Sequence, residues 1–322
     1  GLHMMPISYV DESGNIDKSE LNEFKNKVKD FTSFNSRSHT YELFNEWNLS
    51  TWKKKFDLYE RKGNEDVLVK KDYEYTIDQY VEAVRTASEG IRESDPQARI
   101  LGFGAGKDNM EEFIEECLKK GMGQYIDAVS VHPYSVNVAP EIGHKDKWDT
   151  ESVPLREKIK SVQNLLDKYN LDLPIIITEI GWTNAPDTPI TDAIQAQYSI
   201  RALGLAGDLT ESISLYEMIE HNNSDPYEQH YGMLYQNDDS DNALGAKPVF
   251  GALSCFNSLT ADKARTEGIV EDKNSGSIYC TYENECERVI MYWNPDKDNQ
   301  QLSIPKGTNE SRGKFKGKGY TA

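Results

Sequence analysis

Two short stretches carry side chains suited to chemistry. Tyr41-Glu-Leu-Phe-Asn-Glu-Trp-Asn48 opens with aromatic and apolar residues, Tyr41, Leu43 and Phe44, and then presents the polar pair Asn45-Glu46. Ile175-Ile-Ile-Thr-Glu-Ile-Gly-Trp182 repeats the arrangement, an apolar run followed by Thr178-Glu179. Each reads as a buried strand that delivers a carboxylate at its C-terminal end, which is where catalytic side chains stand in parallel α/β barrels. Glutamates at the ends of two strands can face one another across a pocket. Paired carboxylates of that kind are what cleavage of a glycosidic bond needs.

The rest of the chain supplies elements to position them. Met5–Val10 is expected as a short buried strand. Asp17 opens a helix with Leu21, Phe24 and Val28 on one face, the spacing of an amphipathic helix. Further helices are expected over 77–94, 110–120, 154–169, 192–206 and 248–259, and further strands near Arg99, Ile126, Pro174 and Ser212. The charged segment 49–75 and the polar segment 220–245 read as long loops. Beyond residue 262 the period changes to two, so 277–282 and 288–293 read as hairpin strands.

Alternating strands and helices argue for parallel β/α units. Six strands can be counted where a closed barrel has eight. The expected fold is therefore a TIM-type (β/α) barrel of about six units over residues 1–262. A small C-terminal β hairpin or sandwich appendage is expected over 263–322.

Composition bounds the partners. The 322 residues are 37% hydrophobic and 28% charged with 18 tyrosines, enough to build a core. A net charge of -18 argues against nucleic acid or an anionic membrane, because phosphate binding relies on basic surface. No apolar run approaches the roughly 18 residues that span a bilayer. Cys117, Cys255, Cys280 and Cys286 have no metal-ligand spacing. Cys280 and Cys286 could pair across a hairpin, as an oxidising compartment would permit, and free thiols fit equally well. A secreted or cell-surface setting is favoured over the cytoplasm.

Other signals fail. Gly102-Phe-Gly-Ala-Gly-Lys107 has the wrong glycine spacing for a phosphate loop, with Asp108 where Ser or Thr should follow. Asn237–Asp241 lacks the central glycine and closing glutamate of a calcium loop. Neither a zinc-hydrolase nor a serine-esterase motif occurs. No cofactor or metal is expected.

The ordered set Asn45-Glu46, His132-Pro-Tyr134, Thr178-Glu179-Ile-Gly-Trp182 and Tyr216-Glu217, each at an expected strand end, resembles the retaining glycoside hydrolases of clan A. Within that clan the chain is most similar to the family 39 and family 5 types. The segment through His230-Tyr-Gly-Met233 to Lys247-Pro248 and the terminal hairpin around Tyr292-Trp-Asn294 add to the likeness. By the family's strand count, the first two barrel strands are missing.

The resemblance implies hydrolysis of plant- or microbe-derived glycans by double displacement with retention, on an oligosaccharide or polysaccharide substrate. Glu46 would be the general acid/base, protonated near neutral pH through burial or a neighbouring negative charge. Glu179 would be the nucleophile, kept ionised by hydrogen bonds, with the two carboxyls about 5–5.5 Å apart. Asn45 would donate to the sugar 2-hydroxyl, or else cap the strand end. His132 and Tyr134 would flank the nucleophile, with the tyrosine hydroxyl on Glu179, or else form a satisfied core pair. Trp182 and Tyr216 offer faces for stacking on sugar rings, although large aromatics are more often core. Glu217 would bind sugar hydroxyls or pair with a loop cation. The rival of a different class is a non-catalytic carbohydrate-binding or scaffold protein on an incomplete barrel.

Overall fold

The apolar runs and amphipathic stripes become strands and helices in close succession. The computed structural model describes residues 16–34, 39–49, 56–62, 65–73, 76–106, 109–143, 153–221, 225–237, 240–266 and 268–295. Helix α1 (Lys18–Phe34) precedes strand β1 (Thr40–Glu42) and the strands β2 (Phe56–Lys62) and β3 (Glu65–Tyr73). Then come α2 (Ile77–Ser94), β4 (Arg99–Gly106), α3 (Met110–Lys119), β5 (Ala128–His132), α4 (Leu155–Lys168), β6 (Ile175–Ile180), α5 (Asp192–Ala206) and β7 (Ser212–Leu215). The chain continues through β8 (Leu234–Asn237), β9 (Ser240–Ala246), α6 (Pro248–Thr260), β10 (Ala264–Arg265), β11 (Val270–Asp272), β12 (Ser277–Glu283) and β13 (Arg288–Trp293).

Five strands form one sheet in the order β1-β4-β5-β6-β7. The pairs β1–β4, β4–β5 and β5–β6 are parallel. Between β6 and β7 the bonds from Glu211 N–H to Ile175 O and from Tyr216 N–H to Ile180 O advance together, so that pair is parallel as well. A helix crosses over before each of β4, β5, β6 and β7. This is a TIM-type α/β fold. Five of the six expected strands stand in this sheet; the sixth, Met5–Val10, lies outside the described residues, as does the tail 311–322.

Two readings need correction. Residues 49–75 are not a long loop, because β2 and β3 pair antiparallel from Phe56↔Tyr73 to Lys62↔Glu65. Residues 220–245 likewise contain the antiparallel pair β8–β9 and a short 3-10 turn over Glu228–His230. In both cases backbone pairing between neighbouring strands outweighs the polarity of the sequence.

By internal contacts the chain divides into two compact units. The first takes the chain up to Pro133, Lys158–Thr178 and Thr210–Ser212; the second takes Tyr134–Glu157, Glu179–Leu209 and the chain from Ile213 onward. In the first unit α2 buries Tyr80, Val84, Ala87 and Ile91 as its spacing predicts. A capping box between Thr76 and Gln79 starts that helix, and Asp95 before Pro96 ends it. Lys25 and Lys29 of α1 reach Glu93 of α2 at 2.5 and 2.9 Å, fixing the helix whose Phe24 and Val28 are buried. Arg92 holds both oxygens of Asp127 at 2.9 Å, and Asp127 also accepts the Ile100 N–H, so the end of α2 is tied to the start of β4.

In the second unit β10, β12 and β11 form an antiparallel sheet, to which β13 adds along β12. Glu141 accepts two bonds from the Arg201 guanidinium, at 2.7 and 2.5 Å, and one from the Trp293 indole N–H. Arg156 bonds both carboxylate oxygens of Asp208, to which Arg265 adds a contact at 3.3 Å. Cys280 is buried opposite Met291, whereas Cys286 is exposed, and both are free thiols. Burial holds the Cys280 thiol above its usual range.

Candidate active site

In the first unit the site is made by an irregular strand end. Strand β1 ends at Glu42, and one further bond, from the Leu43 N–H to the Leu101 carbonyl at 2.9 Å, closes the pairing before Asn45-Glu46. Phe44 and Glu46 have φ of 63° and 49°, a left-handed conformation uncommon for side chains of this size. Such strain costs about 1–3 kcal/mol per residue and needs surrounding structure to hold it. Phe44 supplies part of that: its ring lies 6.4 Å from Phe24, 5.3 Å from Trp47 and 5.7 Å from Tyr80. Trp47 packs on Phe44 and Tyr80, so it serves this aromatic cluster.

Strand β4 supplies the remainder. Its pairing with β5 shifts register between Gly102 and Ala105, and Phe103 and Gly104 have φ of 85° and 48°. The bulge turns the Gly104 carbonyl to accept the Glu46 N–H at 2.8 Å. A Cβ on Gly104 would stand 2.8 Å from the Phe44 carbonyl oxygen, so only glycine fits. The buried Ser130 hydroxyl pins the bulge by accepting the Gly104 N–H and donating to the Gly102 carbonyl. Asn48, also buried, accepts the Gly106 N–H at 2.9 Å and donates to the Gly106 carbonyl at 2.6 Å. Asn45 follows Phe44 in this turn and is partly buried.

Around the end of this turn four polar side chains meet. His132, fully buried, places Nδ1 3.1 Å from Glu46 Oε1 and Nε2 3.0 Å from Thr178 Oγ1. Thr178 donates to Glu42 Oε1 at 2.7 Å, and His132 Nε2 lies 3.6 Å from the same oxygen. Burial works to raise the Glu42 carboxyl, but the nearby His132 imidazole and the Thr178 hydroxyl outweigh it and hold the group below its usual range. Gly106 faces Glu46 directly: a Cβ there would lie 2.7 Å from Glu46 Oε1. Glu42, Asn48, Ser130 and Gly106 were not singled out by the sequence reading; their roles depend on the register of strands distant in the chain.

In the second unit the Tyr134 hydroxyl donates to Glu179 Oε2 at 3.2 Å. A tyrosine cluster stands beside this pair. The ring of Tyr231 lies 6.0 Å from Tyr134, 5.4 Å from Tyr216 and 5.8 Å from Tyr227, each edge-on. Burial pushes the phenols of Tyr231 and Tyr227 up, so both remain neutral donors. Trp182 is 1% exposed, gives its indole N–H to the Val138 carbonyl and packs edge-on against Tyr198. It presents almost no free face for stacking. Tyr216 is half-buried, and its peptide bond to Glu217 is cis.

Glu217 Oε1 lies 2.6 Å from His221 Nδ1. Burial raises its carboxyl, Glu220 adds to the rise, and His221 and Lys247 oppose it. Behind this segment Lys247, 1% exposed, pairs with Glu220 and donates to Asn184 Oδ1 at 2.9 Å. Among the described residues no helix is long and apolar enough to cross a membrane.

Parallel strands alternate with helices on a TIM-type scaffold, with Glu46 beyond the end of β1 and Glu179 in the last residues of β6. The sequence model of glycosyl hydrolases family 39 matches residues 9–298, and the chain belongs to that family. No curated protein matches the sequence significantly. Among solved structures it is similar to a family 39 glycoside hydrolase from the gut symbiont Bacteroides cellulosilyticus WH2. That match has a TM-score of 0.65 and 17% identity over 90% of this chain and 55% of that one. It is also similar to a monomeric beta-xylosidase from Caulobacter crescentus CB15, with a TM-score of 0.51 and 17% identity over 81% of this chain and 52% of that one. A third similar structure is the family 39 enzyme from Xanthomonas axonopodis pv. citri, with a TM-score of 0.53 and 16% identity over 82% and 51%. At these identities the structural likenesses show the fold, and the chain spans about half the length of these proteins.

Proposed function

We propose that the chain hydrolyses O-glycosidic bonds by double displacement with retention, with Glu46 as general acid/base and Glu179 as nucleophile. The observation that carries this reading is the contrast between the partners of the two carboxylates. Glu46 rests on an imidazole nitrogen, a group that can trade a proton with it. Glu179 rests on a phenol hydroxyl, which donates to a carboxylate and stabilises its ionised form. A proton-exchanging carboxylic acid and an ionised carboxylate are the two groups that retaining hydrolysis uses. Asn45 would then bind the sugar 2-hydroxyl, and Tyr216 and Glu217 would line the sugar's surroundings, with the enclosed Trp182 packed behind them.

The test is hydrolysis of a panel of aryl glycosides. The panel includes the xyloside and the glucoside, since two similar structures are named as a beta-xylosidase and a glucosidase. Release of the aryl group with retained anomeric configuration, followed by NMR, supports the proposal; inversion overturns it. Binding of these sugars without any hydrolysis would favour the carbohydrate-binding reading.

Gly106 provides a sharper check. The Cβ of Gly106→Ala would collide with the Glu46 carboxyl and come within 3.0 Å of Leu49 Cδ1, both ends of side chains that can shift without moving the backbone. Unfolding stability should therefore change by less than about 1 kcal/mol, within the usual range of mild substitutions. Turnover of a glycoside with a poor leaving group should fall by about 100-fold, the scale expected for misplacing a catalytic group by an ångström. Unchanged turnover in this variant would mean that the Glu46 carboxyl is not the acid.

A further inference from the structure

We propose that Glu42 is the positioning residue that keeps one proton in the Glu46–His132 pair, acting through the Nε2 edge of His132. The inference rests on reading Glu46 as the acid/base and names the residue that controls it.

The hydrogens around the His132 ring can be counted. An ionised carboxylate only accepts, so the single hydroxyl proton of Thr178 goes to Glu42 Oε1. Thr178 Oγ1 then has only lone pairs left for His132 Nε2, 3.0 Å away, so Nε2 must carry a proton. In the neutral ring Nδ1 is consequently a bare acceptor, and it points at Glu46 Oε1 from 3.1 Å. If Glu46 were also ionised, two lone pairs would face each other at hydrogen-bond distance in a place where His132 is fully buried and Glu46 is 9% exposed. Repulsion of that kind favours keeping one proton between them, on Glu46 or on Nδ1.

Glu42 strengthens that preference in two ways. It fixes the Nε2–H tautomer through Thr178, and its negative charge, 3.6 Å from Nε2, favours a proton on the pair. Its own carboxyl, held below the usual range despite burial, is charged at neutral pH. The stretch of β4 from Ile100 to Gly106 carries no charged side chain. Strand β6 contributes Thr178, with Glu179 next in the chain, and Tyr134 follows His132 by two residues. When Glu46 gives its proton to a leaving oxygen, the lone pairs are brought face to face, and the proton regained from the attacking water in the second step removes that repulsion.

The test reads the imidazole nitrogens by 15N NMR, with the His132 signals identified among the six histidines by their loss in His132→Gln. In the unsubstituted protein Nε2 should stay protonated across the titration, with only Nδ1 changing state. In Glu42→Gln the pH at which Nδ1 reports loss of the shared proton should fall by about one to three units, the shift an adjacent opposite charge produces. Glu42→Asp, which keeps the charge, should recover part of it. A neutral Nδ1–H tautomer in the unsubstituted protein overturns the proposal even if Glu42→Gln does not fold. So does an unchanged midpoint in a folded Glu42→Gln.

Activity separates this inference from the one beneath it. In an active enzyme Glu42→Gln should move the basic limb of kcat/KM downward for poor leaving groups and lower that of an activated aryl glycoside much less. A merely structural role would lower both substrates at every pH. If the NMR shifts occur but the chain hydrolyses no glycoside, Glu42 still holds the proton and the acid/base reading falls.

Discussion

Replacing Glu179 with glycine should lower turnover of aryl glycosides on the order of 10⁴-fold or more, the scale at which loss of a covalent nucleophile is felt. Glu46→Ala should cost about 10²- to 10⁴-fold on a substrate with a poor leaving group, the usual contribution of general acid catalysis. On a substrate with a good leaving group, which needs little protonation, Glu46→Ala should lose much less. Added azide should rescue both variants and give opposite products. With Glu46 gone, azide attacks the glycosyl-enzyme formed on Glu179, and two inversions leave the glycosyl azide with the substrate's configuration. With Glu179 gone, azide occupies the nucleophile's place and a single inversion results. Product NMR reads the difference directly. The same configuration from both variants, or near-normal rates in either, would remove the assignment.

Glu46 and Glu179 were legible in the sequence because each closes an apolar run, and a buried strand leaves few positions for a carboxylate except its end. The helices were legible for a related reason. The stripe Leu155, Ile159, Val162 and Leu166 of α4 is fully buried, as its spacing requires. What surrounds Glu46 was not legible. The contact between Gly106 and Glu46 follows from a bulge in β4, and the Thr178–Glu42 bond joins residues 136 positions apart in the chain. Neither leaves a periodic trace. The hairpin β2–β3 did leave one: Gly63-Asn64 between two runs is a two-residue turn signal, obscured by the lysines and glutamates around it. Trp182 shows the opposite failure. Its place after Thr178-Glu179 suggests a sugar platform, yet its indole is enclosed and bonded to Val138.

Lys247→Met should be among the most destabilising single changes in the second unit. The Lys247 ammonium is enclosed, with none of its side chain exposed, while its partner Glu220 is 13% exposed. It also donates to Asn184 Oδ1 and to the His230 carbonyl, and stands 5.3 Å from the Tyr235 ring centre. Methionine keeps most of the volume and none of the donors. Glu220 would keep the His230 Nδ1 contact at 3.3 Å, and Asn184 Oδ1 would lose its lysine donor. Breaking one side of a buried ion pair costs about 3–5 kcal/mol because the other charge stays behind. Denaturant unfolding should show that loss as a lower midpoint with an unchanged slope. The double variant Lys247→Met/Glu220→Gln removes both charges and should be more stable than Lys247→Met alone. A single-variant cost below about 1 kcal/mol, typical of exposed pairs, would mean that the lysine reaches solvent. If the cost is as large as expected, the reason is local: Lys247 ties Asn184, Glu220 and His230 together, and Glu220 stands three residues from Glu217 and His230 one from Tyr231.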